Sequence, residues 1–428
     1  ITGDSRPSTT SQSYIKGAII NGTVTSAGGD INITGYGGSG VLGNDGVAIA
    51  GSILAVGSSR IGITGSGGVT GGFNLGVSTS GSGTISSVNG DIVIDGTGGQ
   101  GFTSPIKNHG VQISGSNAIS ASGTGSITVT GRITSNDNGY SRGVFIDSGG
   151  LRTNTGNIKV DATALQNYQV AAYINAPITS TSGNVYIRSA GANVQNTATG
   201  TISGNNVSID NTGGTIDVNG VITKGLGGAS TWAGVIEQDG IDLNGSVTAA
   251  NNLNIYGNQT GGAKGIKISG STTTVSGKNV TLYGKSNTGN GVQILGGTLS
   301  GSYLNATGET NIGYTGFAWE GGNINTTGTT GNSTASVVKG ISAASSTLAN
   351  GYGAFMMYAS GAANATNGTT LTLAGEATTL TTGQNTKERG IWVQSNNTLT
   401  MSGDVTLDGS SKSSEGIGFD GTIAMATV

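Results

Sequence analysis

The chain has 428 residues, 82 of them Gly, with 9% charged residues, 3 Pro, no Cys and a formal net charge of −3. That balance gives no basic footprint for nucleic acid, and so few prolines fit neither collagen nor a Pro-rich linker. The missing cysteines exclude disulfides, thiolate metal sites and cysteine nucleophiles, and no apolar run approaches the ~18 residues of a membrane span. The 34% apolar content is arranged in strict local alternation, which argues against disorder.

In chain order, residues 1–20 read as an irregular polar lead-in or the start of a cap. The opening ITGDSRPSTT lacks a charged-then-apolar signal pattern, so a secreted form has lost its signal or the chain is an interior fragment. From there three lines of short apolar motifs interleave. The first runs GDINITG (Ile31, Ile33), RIGITG, GDIVIDG, GSITVTG, GNIKVDA, GNVYIRS, NNVSIDN, NLNIYG, NVTLYG, TLTLAG and DVTLDG. The second runs GVAIAG (Val47, Ile49), GFNLG (Phe73, Leu75), GVQISG, GVFIDSG, GIDLNG, GIKISG, GVQILG, GFAWEG, GIWVQS and GIGFDG. The third is one apolar residue before a Ser/Thr/Gly turn, as at Ile85, Ile119, Ile178, Ile202, Val247, Val275, Leu299, Ile324, Leu399 and Ile423.

The least interrupted cycle is Gly265–Gly301, in which GIKISG returns as GVQILG at Gly291; Ile266, Ile268, Val275, Val280 and Leu282 are its inward residues. Each motif is a strand with one buried face, too short to stand alone, so successive copies must stack as parallel strands one coil apart. The expectation is an all-β, single-stranded right-handed parallel β-helix with about 25–27 residues per regular coil and three parallel sheets. Residues 21–428 form one continuous solenoid with inserted loops in this reading, least regular near 225–240 and 339–370. Gly at the line ends is expected to supply positive φ at the corners, and Asn206, Asn252 and Asn279 to form side-chain ladders. A hairpin sandwich fits worse: Asn-Gly and Asp-Gly turns are present, but the strands are short and the cycle is long.

The interleaved G-h-x-h-x-G and G-[DN]-h-x-h-x-G lines, with S-x-G turns between them, resemble the repeat region of large secreted bacterial adhesins. These are the filamentous-haemagglutinin-like proteins of two-partner secretion and the passenger domains of autotransporters. The resemblance covers residues 20–428 and is one of repeat style. It implies an extracellular structural or adhesive rod at a bacterial cell surface. Such a rod acts in adhesion, biofilm or filament formation, with a host-cell, matrix or glycan ligand and end-to-end self-association. No N-terminal secretion domain of the two-partner type and no C-terminal translocating barrel is seen. The expectation is therefore a segment of a longer polypeptide, or one from which those parts have been cut.

The rival function is a polysaccharide lyase or glycoside hydrolase on a β-helix. Its carboxylates would be Glu237, Asp239 and Asp242 near Trp232. Asp239 before Gly240 reads more simply as a turn residue and Glu237 as a solvated one. The single His, His109 in KNHG, reads as a solvated corner residue. Trp319 beside Glu320 falls on an inward position and reads as core. Asn44-Asp45 in GGSGVLGNDG matches a calcium nonapeptide only loosely and does not recur. TTLTTG at Thr378–Gly383 lacks the one-per-coil array of an ice-binding face. No catalytic residue, metal or cofactor is assigned. The residues after the second apolar position of the first line put Arg188 between Asp161 and Asp210, and Tyr256 beside Tyr283. The tyrosine pair and the outward Trp392 are the candidate binding surfaces for a glycan or another copy.

Overall fold

The computed structural model describes residues 1–6, 12–100, 107–116, 119–134, 141–165, 170–197, 199–205, 207–212, 216–218, 222–224, 229–236, 240–249, 252–259, 264–311, 314–328, 335–343, 353–378, 389–412 and 415–426. Among these there is no helix, and every strand pairing found is parallel. The fold is a right-handed parallel β-helix of three sheets. Two compact units divide the chain: Ile1–Gly214 with Gly220–Gly225, and Thr215–Asn219 with Leu226–Val428.

In the first unit, the first-line strands Ile31–Tyr36, Ile61–Ser66, Ile92–Thr97, Ile127–Arg132, Ile158–Thr163, Val185–Ala190 and Val207–Thr212 stack in unbroken register. Ile31 thus lies over Ile61, Ile92, Ile127, Ile158, Val185 and Val207, and all are buried. The alternation that makes these strands also makes the core: the two branched side chains of each h-x-h pair point inward, coil upon coil. Each such Ile or Val contributes about 1.5–3 kcal/mol of burial before chain entropy is counted. The third line stacks likewise through Ile119, Leu151, Ile178 and Ile202.

Glycine at the line junctions serves close approach rather than positive φ. A Cβ on Gly65 would lie 2.0 Å from the carbonyl oxygen of Gly76, and a Cβ on Gly76 would lie 2.3 Å from the Thr97 nitrogen. First-line strands end, and second-line strands begin, where two backbones pass with no room for a side chain. Positive φ is found elsewhere, as at Gly57 and Gly81 in turns.

Two expectations for the first unit change. Residues 1–20, read as an irregular lead-in, hold two strands: Thr2–Asp4 pairs with Ile31–Tyr36, and Ala18–Ile20 with Val47–Ile49. The second-line strand of the coil containing GFNLG is Val77–Thr79, which pairs with Val47–Ile49 and Val111–Ile113; Phe73 and Leu75 belong to the preceding corner. Thr79 stands where an apolar residue was expected, so the alternation is strongest four residues too early.

In the second unit the cycle Gly265–Gly301 behaves as its pattern requires. Ile266, Ile268, Val275, Val280 and Leu282 are all buried. Here the third and first lines fuse into single long strands, Thr274–Ser286 and Thr298–Thr310, which pair from Val275↔Leu299 through Ser286↔Thr310. The poorly patterned tract 339–370 also joins the stack. Gly353–Met357 sits on Phe317–Trp319, and Gly361–Thr366 on Gly322–Thr327. Its pattern is obscured where small Ala363 takes an inward position, and just ahead of the tract Ser336 is fully buried, its hydroxyl accepting the Leu304 N–H at 3.0 Å. In tract 225–240, Ala229–Ile236 pairs with Asn252–Gln259, and residues 225–228 and 237–239 lie outside the described residues. Phe317, Trp319 and Phe355 fill this part of the core. Phe317 and Phe355 stack with centroids 5.3 Å apart, Trp319 meets Phe355 edge-on, and the indole N–H donates to the Gly321 carbonyl. Trp319 is core, as its inward position required.

Candidate functional site

The outward positions of the first line form columns along each unit, because parallel in-register stacking repeats every side chain one strand away. In the first unit one column reads Thr64, Asp95, Thr130, Asp161, Arg188 and Asp210. Arg188 does stand between Asp161 and Asp210. Lys159 reaches Asp161 at 2.7 Å, and Arg132 reaches back one coil to Asp95 at 2.6 Å. A cleft of about 240 Å³ opens between these charges, lined by Thr130, Arg132, Asp161, Thr163, Arg188 and Ser189. Half-exposed ion pairs of this kind contribute little stability.

In the second unit the pairing of Asn252–Gln259 with Thr274–Ser286 places Tyr256 directly beside Tyr283. The tyrosines share a face, but they are not alike. Tyr256 is exposed, with 40% of its surface open. Tyr283 donates its hydroxyl to Glu309 Oε2 at 2.6 Å, and Lys285 holds the other carboxylate oxygen at 2.5 Å. Burial and the hydrogen bond to Glu309 push the Tyr283 hydroxyl up to about 12. Burial by itself would raise the Glu309 carboxyl, but the hydrogen bonds from Lys285 and Tyr283 and the Lys285 charge outweigh it and hold it below its ordinary value. The face therefore offers one open ring beside a fixed tyrosine–carboxylate–ammonium triad. Sequence periodicity found the ring pair; the Glu309–Lys285 contribution was missed because Glu309 lies one coil further on, in a strand whose alternation is interrupted at Ala306. The expected ladder of Asn252 and Asn279 is formed, with Asn279 Nδ2 donating to Asn252 Oδ1 at 2.7 Å. Asn206 lies outside the described residues.

Trp392 points outward from the second line, as read, but it is less open than a free platform. Its indole N–H donates to Asp420 Oδ2 at 2.8 Å, and the Arg389 guanidinium lies 4.7 Å from the ring centre. Arg389 in turn pairs with Glu415 and Asp420. Arginine stacking covers a ring face that a ligand would otherwise use.

The chemistry-bearing candidates are placed as follows. His109 is buried, contrary to the solvated reading. Its Nδ1 accepts the Arg142 N–H at 3.0 Å and its ring meets Phe145 edge-on at 5.1 Å. Burial, then the charges of Arg142 and Lys107, lower its pKa to about 3, so it is neutral at ordinary pH. Asp242 is tied to Lys267 on the next coil at 2.6 Å and accepts the Ser269 hydroxyl. Glu237 and Asp239 lie outside the described residues, as does most of Thr378–Gly383. Among the described residues no group of three or more His, Cys, Asp or Glu side chains gathers as a metal site.

Asn44, read only as part of a loose calcium pattern, belongs to a buried ladder that the sequence reading missed. The Ile15 N–H donates to Asn44 Oδ1, the Asn44 N–H to Asn74 Oδ1, the Asn74 N–H to Asn108 Oδ1 and the Asn108 N–H to the Ser141 hydroxyl. Each side chain satisfies a corner amide of the neighbouring coil. The available signal was the recurrence of GNDGV, FNLGV, KNHGV and YSRGV three residues before each second-line strand.

No family model, curated protein or solved structure matches the chain.

Proposed function

We propose that the chain is an extracellular structural or adhesive β-solenoid of a large secreted bacterial surface protein, binding a host-cell, matrix or glycan ligand through its outward ladders. The observation that carries this reading is the exposed first-line face of the second unit, where Tyr256 and Tyr283 stand in register beside Glu309 and Lys285. An aromatic surface flanked by fixed hydrogen-bonding groups is the chemistry that grips sugar rings and peptide chains. The repeat style, with its interleaved glycine-bounded strands, supports placing the chain among secreted adhesins. Of the carboxylates that the enzymatic alternative would use, Glu237 and Asp239 lie outside the described residues, and Asp242 is engaged by Lys267 and Ser269.

The test is adhesion of the purified chain to immobilised glycans, matrix proteins and cultured cells. Binding that falls by about tenfold in Tyr256→Ala/Tyr283→Ala, corresponding to about 1.4 kcal/mol, supports the reading. Adhesion to none of these surfaces counts against it. Self-association is the second part of the proposal, through pairing of strand edges between copies. Electron microscopy at rising concentration is expected to show end-to-end fibres; discrete single particles at every concentration would retire that part.

A further inference from the structure

The corner that carries the buried asparagine ladder also holds a pocket near its first two coils. Its volume is about 280 Å³, and Tyr14, Lys16, Leu42, Asp45, Phe73 and Leu75 line it. The floor is an ion pair. Lys16 Nζ lies 2.9 Å from Asp45 Oδ2, and the Asp45 residue is only 4% exposed. Asp45 is fully engaged, since Oδ1 accepts the Leu75 N–H at 3.1 Å and Oδ2 the Ser78 hydroxyl at 3.0 Å. Burial pushes the Asp45 carboxyl up, against the opposing pull of Lys16. A buried pair of this kind adds little stability by itself, because desolvating both charges offsets their attraction.

The walls are aromatic, and both rings hang from unfavourable backbone. Tyr14 has φ 66° and Phe73 has φ 57°, two of the four non-glycine residues in the left-handed region among the described residues. Such a conformation costs about 1–3 kcal/mol and gathers at sites that hold a side chain in a required place. The Tyr14 N–H donates to the Leu42 carbonyl at 2.6 Å, and the ring is seated over Gly43, where a Cβ would come within 2.5 Å of Tyr14 Cδ1. Tyr14 nevertheless remains 69% exposed. Packing on Gly43 buries only part of the ring, so most of its surface stays open to a ligand.

We propose that this pocket binds a neutral pyranose ring. Lys16 and Asp45 cancel each other's charge, and Lys107 stands 6.0 Å from the Phe73 ring centre; an anion therefore meets the Asp45 carboxylate and a cation meets two ammonium groups. The ammonium group has three donors and directs one at Asp45, leaving donors for sugar hydroxyls. The C–H faces of a pyranose suit the rings of Tyr14 and Phe73, and the pocket is sized for a single ring rather than a larger ligand. The pocket belongs to the first unit and the tyrosine face to the second. It deepens the adhesive reading and rests on it for placing the sugar at the end of a surface glycan.

The test is saturation-transfer NMR on the whole chain. The probes are the methyl pyranosides of glucose, galactose, mannose and N-acetylglucosamine, with acetate and tetramethylammonium as charged comparisons. Transfer to at least one neutral pyranoside is expected. Tyr14→Gly removes the ring and relieves the left-handed strain, so it should weaken binding by about tenfold or more without lowering the melting temperature. Tyr14→Phe should retain binding; all these measurements are made in the Tyr256→Ala/Tyr283→Ala background, so that the tyrosine face of the second unit contributes no transfer. Transfer to the charged probes alone, no transfer to any neutral pyranoside, or transfer unchanged in Tyr14→Gly would overturn the proposal. Intact transfer in a chain that adheres to no glycan surface supports the pocket and counts against the adhesive reading.

Discussion

Single side chains in this protein act through their neighbours one coil away, and their titration shows it. His109 is held neutral by burial and by the cations Arg142 and Lys107. The unfolded chain takes up a proton at this residue below about pH 6.5, whereas the fold refuses it until about 3. The stability that neutral His109 contributes is therefore present above 6.5 and lost as pH falls through that window. Denaturant unfolding of the wild-type chain at pH 4 and pH 7 should differ by on the order of 1–3 kcal/mol more than that of His109→Gln. Equal pH dependence in the two proteins would refute the burial argument. The triad of the second unit has two signs. Glu309, held below its ordinary value, stabilises above that value and loses its contribution as pH falls through its folded pKa. Tyr283, pushed up to about 12, stabilises below 10.0 and loses its contribution as pH rises towards 12. Tyr283→Phe should abolish the alkaline effect and weaken the acid one, with a stability change near neutrality below about 1 kcal/mol because the group is partly solvated. Spectrophotometric titration of the tyrosines reads the first effect directly.

At the scale of strands and corners, the fold depends on two devices of different visibility. The first is apolar alternation, which was legible: Ile31, Ile61 and Ile92 announce their strands, and the cycle Gly265–Gly301 gives the correct inward set. Where an inward position is polar or small, as at Thr79, Ser336 and Ala363, the pattern fails, because a hydrogen bond or a neighbouring bulky side chain completes the core instead. Trp319 and Phe355 do this beside Ala363's coil. The second device, the buried asparagine ladder, was hidden: nothing in Asn44 or Asn74 alone says that its amide points into a corner rather than into water. The ladder is expected to matter more than its exposed counterpart. Asn74→Ala leaves the buried Asn44 N–H without its acceptor, although the Asn44 amide keeps the Gly40 carbonyl, and should cost about 1–3 kcal/mol. Asn279→Ala, on the surface, should cost less than about 1 kcal/mol. Comparable losses in a thermal or denaturant melt would show that the buried ladder is not special. The register itself can be checked by covalent chemistry, since the chain has no native Cys. Tyr256→Cys/Tyr283→Cys should form a disulfide on mild oxidation, as neighbouring parallel strands bring Cα atoms within the ~4.4–6.8 Å that a disulfide tolerates. Tyr256→Cys with Thr307→Cys, two strands apart, should not.

For the molecule as a whole, each unit encloses its own apolar core and turns Thr, Asn, Ser and a few paired charges outward. Such a surface is suited to presenting ligand-binding faces. The tyrosine face of the second unit and the aromatic pocket of the first are the two proposed to bind. The candidate site was half legible in the sequence. Tyr256 and Tyr283 were found because they share a repeat position. Tyr14, Phe73, Lys16 and Asp45 were not, because the corner that unites them is built from two irregular stretches and a strained backbone rather than from a period. A glycan array carrying neutral and acidic oligosaccharides, probed with the purified chain and with Tyr256→Ala/Tyr283→Ala, bears most directly on whether binding is this protein's work. The predicted result is retention of the unmodified chain on a defined set of glycans, all of them left intact, with loss of signal in the double variant at unchanged melting temperature. Release of reducing or unsaturated sugars from the array, or equal retention of the two proteins, would contradict it.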